Sequence, residues 1–254
     1  MTSTVSILAL ALPAAVAIGL MGGFALLKGM TLAGDTMSHI ALPGIGLALL
    51  WGLNPLLGGV ASLLAGGLLI WQIERRTGLP TENMIGVVFA VALAVGALVT
   101  PSEQLVEAVF GGSGAVTWTT VAVALAIAAS VIAFLWMARD RLVLALFNAD
   151  LAAVTGVSVA RLNLLFLLAF AAALALGLRF LGALQVGALV IIPPAIARRF
   201  THTLGAFLAG CVIVSVAAVL VGSLVAASQG WSLGPTIVLT AGAAFALSLF
   251  KKKE

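Results

Sequence analysis

Long runs of apolar residues without a charged side chain are the feature that most constrains how this chain folds. Several runs are about 17–25 residues long, which is the length a transmembrane helix needs, whereas a barrel strand needs only about 9–11. Only 8% of the 254 residues are charged, against about 25% in a soluble domain. Because so few charges cannot cover a water-exposed surface, the sequence predicts an all-α polytopic membrane protein.

The apolar runs predict nine transmembrane helices in a single domain over residues 1–254. Eight of them are plain apolar stretches: 5–27, 55–73, 83–100, 118–138, 162–178, 181–197, 203–227 and 233–250. The second is weak, because the uncharged run 40–51 is too short to cross a bilayer alone. It crosses only if it begins near Met30 and takes polar residues with it. Alternatively, the polar stretch is an irregular segment that lines a cavity, and Pro43, Gly44 and Gly46 indicate a break there. Otherwise eight helices cross and the N-terminus is cytoplasmic.

Clustered basic residues predict the orientation, since Lys and Arg are in excess on the cytoplasmic side of membrane proteins. With nine alternating helices, the C-terminus is cytoplasmic and only Arg179 falls on the opposite side. The piece 101–117, with Glu103 and Glu107, is too polar to cross and is expected at the membrane surface. The clusters on the cytoplasmic side are Lys28, Arg75, Arg76, Arg139, Arg141, Arg161, Arg198, Arg199 and Lys251–Lys253.

A polar stretch interrupts the weak second helix and predicts a cation site. Asp35 and His39 are four residues apart and share one face of a helix. Carboxylate oxygen and imidazole nitrogen are ligands of divalent cations, and ionisable residues at membrane depth are functional by default. Ser38 and Thr36 can add weaker oxygens. The structural alternative is that Asp35 caps the start of a helix.

Two ligands are fewer than the four of a structural zinc site, but a transported ion must also leave its site. Two copies of the chain that meet at a twofold axis would raise the number of ligands. Cys211 is the single cysteine, so neither an intrachain disulfide nor a cysteine cluster is expected.

The polar segment 139–161 is predicted to be a cytoplasmic loop that docks a soluble partner. It contains a short helical pattern that ends at a glycine, although a turn would be enough to connect two membrane helices. The chain has no phosphate-binding loop, no metalloprotease motif and no nucleophile elbow. It is therefore not expected to be an enzyme, and it has no basic soluble domain for nucleic acid. Energy for uphill transport must come from a partner ATPase or from an ion gradient.

Four stretches together resemble, in order along the chain, the zinc, manganese and iron permeases of bacterial ABC importers, the ABC-3 family. They are KGMTLAGDTMSHIALPG at 28–44, DLAAVTGV at 150–157, RFLGAL at 179–184 followed by IIPPAIARR at 191–199, and PTIVL at 235–239. The chain departs from the family at Gln185, where an aliphatic residue is usual, and at Pro194, where alanine is common.

The resemblance implies a type II ABC importer-like permease of the inner membrane, similar to the vitamin B12 and siderophore permeases. Two copies would form a homodimer with two ATP-binding subunits below it and a metal-binding solute protein outside. Asp35 and His39 match the family's metal-coordinating pair on the translocation path. No cofactor would be bound permanently; the transported divalent ion would be zinc by preference, or manganese or iron. The coupling helix would comprise Asp150, Leu151, Ala152, Val154, Thr155 and Gly156.

Two other functional classes fit parts of the sequence. In a proton-coupled secondary transporter, Asp35 and His39 would relay protons, and the chain would take up cations without an ATPase. A purely structural membrane scaffold would tolerate changes at Asp35. The docking pattern and the ordered series of motifs favour the importer.

Overall fold

A computed structural model describes residues 2–30, 32–99 and 118–250. The predicted surface piece 101–117 and the C-terminal lysines lie outside these residues. Within them the chain forms eleven helices: α1 (Thr2–Leu27), α2 (Ala33–His39), α3 (Ala41–Leu50), α4 (Pro55–Thr77), α5 (Thr81–Val99), α6 (Trp118–Phe147), α7 (Ala149–Val154), α8 (Val159–Leu181), α9 (Ala183–Phe200), α10 (Leu204–Gln229) and α11 (Leu233–Leu249).

The all-helical prediction is confirmed, and six helices are long and apolar enough to cross a membrane. These are α1, α4, α5, α6, α8 and α10. Helix α11 is apolar but has only 17 residues. Length and composition thus support six of the predicted crossings among the described residues and do not confirm the total of nine or eight.

The weak second span is built from two short helices, α2 and α3, that meet at Ile40. Pro43 has no N–H to donate to the carbonyl of His39, which interrupts the helical ladder at this point. The Ser62 hydroxyl on α4 instead donates to the Ile40 carbonyl at 2.5 Å. Helix α3 runs antiparallel to α4: Gly44 lies against Gly58, and Ile40 lies against Gly66. Because α4 covers 55–77, the break lies about halfway along it.

Most of the predicted cytoplasmic segment 139–161 is helical. Helix α6 continues through Arg139 and Arg141 to Phe147, and α8 already includes Arg161. The connecting segment therefore shortens to 148–158 and contains α7. Helix α6 has 30 residues and is about 45 Å long, whereas the hydrocarbon core is about 30 Å thick. Its last turns can therefore lie in water, where arginines are solvated, while Leu142 stays buried.

Helices α1 and α8 form the centre of the bundle. The largest fully buried side chains include Ile18, Phe24, Phe166 and Phe170 on these two helices. Helix α1 packs against α6, α8, α9 and α10. The outer helices expose apolar side chains instead, such as Leu98 at 86%, which is favourable only against lipid or another protein.

The basic clusters of the described part of the chain gather at one end of the bundle, which we call the basic end. Lys28 after α1 contacts Asn163 near the start of α8. A cavity of about 380 Å³ there is lined by Leu27, Phe147 and Arg198, among others. Helices α1, α4, α6 and α9 therefore end at the basic end, and α5, α8 and α10 begin there. Helix α11 also ends there, because Arg199 Nε donates to the Ser248 carbonyl at 3.2 Å.

Candidate metal site

Helix α2, which carries the predicted metal ligands, is pressed against α9. A side chain on Gly187 would place its Cβ 2.6 Å from the Cα of Asp35, and one on Gly34 would lie 2.7 Å from Val190 Cβ. Only glycines allow this approach, which follows the small-residue packing of membrane helices. Helix α2 also contacts α5 and α8. The backbone of Asp35 is therefore held by the bundle and not by a loop.

Asp35 and His39 share one face of α2, as predicted. Asp35 Oδ1 lies 4.0 Å from His39 Nε2, too far for a direct hydrogen bond. A tetrahedral ion with metal–ligand bonds of about 2.0–2.2 Å would hold the two atoms about 3.3–3.6 Å apart. The two atoms therefore lie near that spacing but about 0.5 Å wider. The Asp35 side chain is 48% exposed and that of His39 is 16% exposed, so the pair opens on one side.

The imidazole of His39 is held among apolar groups and lacks part of its hydrogen bonding. Its ring centroid lies 5.8 Å from that of Phe89 on α5. Nδ1 is buried, and the described residues offer it no hydrogen-bond partner. A buried polar atom without a partner is uncommon in folded proteins. Nδ1 is the ring nitrogen that does not face Asp35, and it lacks the hydrogen-bond partner that usually orients a metal-binding histidine.

The hydroxyls near the pair stabilise α2 locally. Ser38 Oγ donates to the Asp35 carbonyl at 2.7 Å, and Thr36 Oγ1 donates to the Leu32 carbonyl at 3.0 Å. The alternative that Asp35 caps the helix is not supported. The N-cap residue is Leu32, without a side-chain cap bond, and Asp35 lies within the first turn.

One chain supplies only part of a metal shell. Across the described residues, no three His, Cys, Asp or Glu side chains come close enough to hold an ion together. Asp35 and His39 are therefore the two acid or imidazole groups that one chain brings together here. An ion bound to them would need a second chain, backbone carbonyls or water to complete its shell.

The predicted docking helix is present as α7 at the basic end. Asn148 begins it, and its side chain accepts a hydrogen bond from the Leu151 amide at 2.9 Å. Gly156 follows it with a φ of 84°, a left-handed conformation that favours glycine. The predicted residues thus form one short capped helix and the turn after it.

The exposure of α7 divides the predicted docking residues into two groups. Leu151 is 50% exposed and Val154 is 85% exposed, and Asp150, Thr155 and Gly156 are also exposed. Ala152 is fully buried, so its side chain attaches α7 to the rest of the chain and does not belong to the exposed surface. Phe147, which was not predicted, is 87% exposed beside them.

Sequence reasoning missed the residues that hold the site in place. Gly187, Ser62 and Phe89 come from three other helices, and no local pattern singles them out. Gln185, noted as a departure, is buried and lies near Gly234 of α11.

Almost the whole chain is similar to known membrane transport proteins. The family model described as "ABC 3 transport family" matches residues 2–252. The high-affinity zinc uptake system membrane protein ZnuB of Haemophilus influenzae is 28% identical, over 92% of each chain. The manganese transport system membrane protein MntC of Halalkalibacterium halodurans is 29% identical, over 91% of this chain and 81% of that protein. In the solved structure of PsaBC from Streptococcus pneumoniae in complex with Fab, one chain superposes with a TM-score of 0.81 at 26% identity. It covers 96% of this chain and 89% of that one.

Proposed function

Because the chain belongs to the ABC 3 transport family, we propose that it is the permease subunit of an ATP-driven importer that carries a divalent metal cation into the cytoplasm. The observation that carries the proposal is the Asp35–His39 pair beside the break between α2 and α3. Imidazole and carboxylate suit zinc, which we favour, but also manganese and iron. Relatives named for zinc and for manganese are about equally similar.

We further propose that nine segments cross the inner membrane, with the basic end in the cytoplasm. Since α1 ends at the basic end and α4 ends there too, α2 and α3 together must return the chain to the opposite end. The break at Ile40 then lies near the middle of the membrane. Broken helices at this depth are typical of ion sites in transporters. The positive-inside rule supports a cytoplasmic basic end and C-terminus.

Membership of the family supports two soluble partners, an ATP-binding subunit and a metal-binding solute protein. The small number of metal ligands in one chain favours a second copy of the permease. The exposed side chains of Phe147, Leu151 and Val154 offer an apolar surface to the ATP-binding subunit at the basic end. A metal-binding solute protein would deliver the ion at the opposite end. In a homodimer, two half-exposed Asp35 side chains near the twofold axis would complete the shell that one chain leaves open. The permease itself would hydrolyse no ATP.

Transport would proceed by alternating access. Asp35 and His39 would bind the ion transiently, because a site with few protein ligands can also release it. Closure of the ATP-binding subunits would move α7, and the bundle would pass this movement to α2. Access to the site would then change from one side of the membrane to the other.

The test is uptake of radioactive zinc and manganese by cells that lack their own importers and express the complete system. Asp35→Ala and His39→Ala should each lower uptake to the level of cells without the permease, because either change removes half of the ligands. The amount of permease in the membrane and its copurification with the ATP-binding subunit should stay unchanged. Wild-type uptake in both variants would disprove the site.

A matched control variant and a test of the rival function, proton-coupled transport, complete this experiment. Asp140→Ala removes a carboxylate that is 86% exposed on α6 and should keep wild-type uptake. A proton-coupled secondary transporter would take up the metal in vesicles that contain this chain alone and a pH gradient. Such uptake without an ATPase would show that the chain is a secondary transporter and not an importer subunit.

A further inference from the structure

Three polar side chains from different parts of the chain meet at the basic end, and the proposed metal site does not use them. Lys28 Nζ donates to Asn163 Oδ1 at 2.5 Å. Asn163 Nδ2 donates to Glu74 Oε2 at 2.6 Å and to Oε1 at 2.8 Å. Asn163 is only 8% exposed, and its amide binds a cation through oxygen and an anion through nitrogen. We call Lys28, Asn163 and Glu74 the polar bridge.

The bridge holds a lysine that is costly to bury. The Lys28 ammonium lies 4.5 Å from the centroid of the Phe166 ring. Burial lowers the pKa of Lys28 to about 8, and the charge of Glu74 opposes this shift. An ammonium in such a position needs hydrogen-bond partners. Asn163 supplies one directly and aligns Glu74 beside it.

The place of each member in the chain connects the docking helix with the site helix. Asn163 lies in the second turn of α8, which follows α7 after a short turn. Lys28 immediately precedes the turn that leads into α2 and Asp35. Glu74 is on α4, whose Ser62 holds the Ile40 carbonyl at the other end of α2. Asn163 is therefore hydrogen-bonded to Lys28, in the segment that leads into α2, and to Glu74 on α4, which contacts the other end of α2.

We propose that the polar bridge is the mechanical link between the docked ATP-binding subunit and the metal site, with Asn163 as the positioning residue. Movement of α7 carries the start of α8 with it, and Asn163 passes the shift to Lys28 and Glu74. The ends of α1 and α4 then move together, and α2 follows. This link rests on the proposed function, since it requires an ATPase at α7 and an ion at Asp35 and His39.

A second contact between α4 and α8 makes the proposal testable without loss of the fold. Trp71 Nε1 donates to the Ala160 carbonyl at 2.8 Å, and the two helices pack along their length. These contacts remain when the bridge is removed. Variants of the bridge are therefore expected to lose coupling and not assembly.

The first test replaces a single group of the bridge. Asn163→Asp keeps the shape of the side chain but replaces the N–H donor to the two Glu74 oxygens by a carboxylate oxygen. The two carboxylates repel each other, which breaks the contact between α8 and Glu74 of α4. The readout is zinc uptake per ATP hydrolysed by the complete complex in proteoliposomes. This ratio should fall about tenfold, within the usual range of coupling between sites, while ATP hydrolysis continues. Asn163→Asp with Glu74→Gln should restore it, because glutamine donates an N–H to the new carboxylate.

The second test removes the bridge without leaving a buried charge. Lys28→Met, Glu74→Met and Asn163→Leu together replace the polar groups by apolar ones of similar volume, a kind of change that often leaves stability intact. A purely structural role predicts normal uptake per ATP in this triple variant, whereas a coupling role predicts the same loss as Asn163→Asp. The triple variant also decides the matter if Asn163→Asp does not assemble.

Three results would overturn the link. The first is a wild-type ratio of zinc uptake to ATP hydrolysis in Asn163→Asp or in the triple variant. The second is an assembled Asn163→Asp complex in which Glu74→Gln does not restore this ratio. The third is failure of both bridge variants to assemble, which would assign the bridge to folding alone. Failure of the proposed function looks different. In that case the wild-type complex itself would move neither zinc nor manganese, and the link would fall with it.

Discussion

At Gly187 the missing side chain lets α9 lie directly against the backbone of Asp35. A Cβ at this position would come within 2.6 Å of the Asp35 Cα and 2.9 Å of its Cβ. The Cα belongs to the helix backbone and the Cβ is bonded directly to it, so neither can move aside as the end of a flexible side chain can. The position of the carboxylate therefore depends on a residue that contributes no ligand.

Gly187→Ala should move α2 away from α9 and lower zinc uptake. A displacement of about 1 Å at a reacting group can cost on the order of a hundredfold, so we expect at least a tenfold loss. The control is Gly242→Ala on α11, where a Cβ meets nothing within 4 Å. Both changes raise helix propensity equally. Uptake by Gly187→Ala at the level of Gly242→Ala would show that close packing of α9 does not position Asp35.

Helix α7 combines a firm attachment to the bundle with an exposed apolar surface. The Asn148 cap and the buried Ala152 hold the helix on the bundle. Val154 is 85% exposed at the end of the same helix, next to the basic clusters. Phe147 and Leu151 are exposed beside it, and an exposed apolar patch of this kind is typical of an interface.

Val154→Asp should weaken binding of the ATP-binding subunit. A charge buried in the centre of an interface costs about 2 kcal/mol, which is roughly a 30-fold weaker affinity. The measurement is titration of the ATP-binding subunit against the purified permease in detergent. Leu53→Asp introduces the same charge at a residue that is 59% exposed at the opposite end and should bind normally. Unchanged binding to Val154→Asp would remove α7 from the docking surface.

The whole molecule places the Asp35–His39 pair and the polar bridge at two different levels along the bundle. The Asp35–His39 pair lies near the level of the break at Ile40, about halfway along α4, and the polar bridge lies at the basic end. Placing the pair in the middle of the membrane requires nine crossings. In that topology α2 and α3 together cross from the basic end to the start of α4 at the opposite end. With eight crossings, the turn before α2 would lie outside the cell.

Accessibility of single cysteines to a membrane-impermeant maleimide tests this topology. The background is Cys211→Ala, since Cys211 is the only native cysteine and is fully buried. Leu53→Cys should react in intact cells. Leu32→Cys, at a residue that is 60% exposed before α2, and Val154→Cys should react only after permeabilisation. Labelling of Leu32→Cys in intact cells would favour eight crossings.

Much of the fold and half of the site could be predicted from local patterns. Apolar runs of membrane length determine the long helices, because an unsatisfied backbone is not tolerated in lipid. The four-residue spacing of Asp35 and His39 determines that they share a face, and Asn148 and Gly156 delimit α7. These properties depend on residues close together in the sequence. Helix α6 continues beyond the predicted span 118–138, because Arg139 and Arg141 indicate where the membrane ends and not where the helix ends.

The tertiary structure alone decided what surrounds the pair and what connects it to α7. Ser62 and Gly187 reach α2 from α4 and α9, and Asn163 bonds to Lys28 across 135 residues and to Glu74 across 89. No periodicity spans such distances, since these contacts arise only when packed helices bring their faces together. Local patterns therefore predict a helical membrane protein with an acid–histidine pair, and Pro43 indicates the break beside it. Packing decides what surrounds the pair, and it places Asn163, near α7, in hydrogen bonds with Lys28 and Glu74 on the segments that flank α2 and α3.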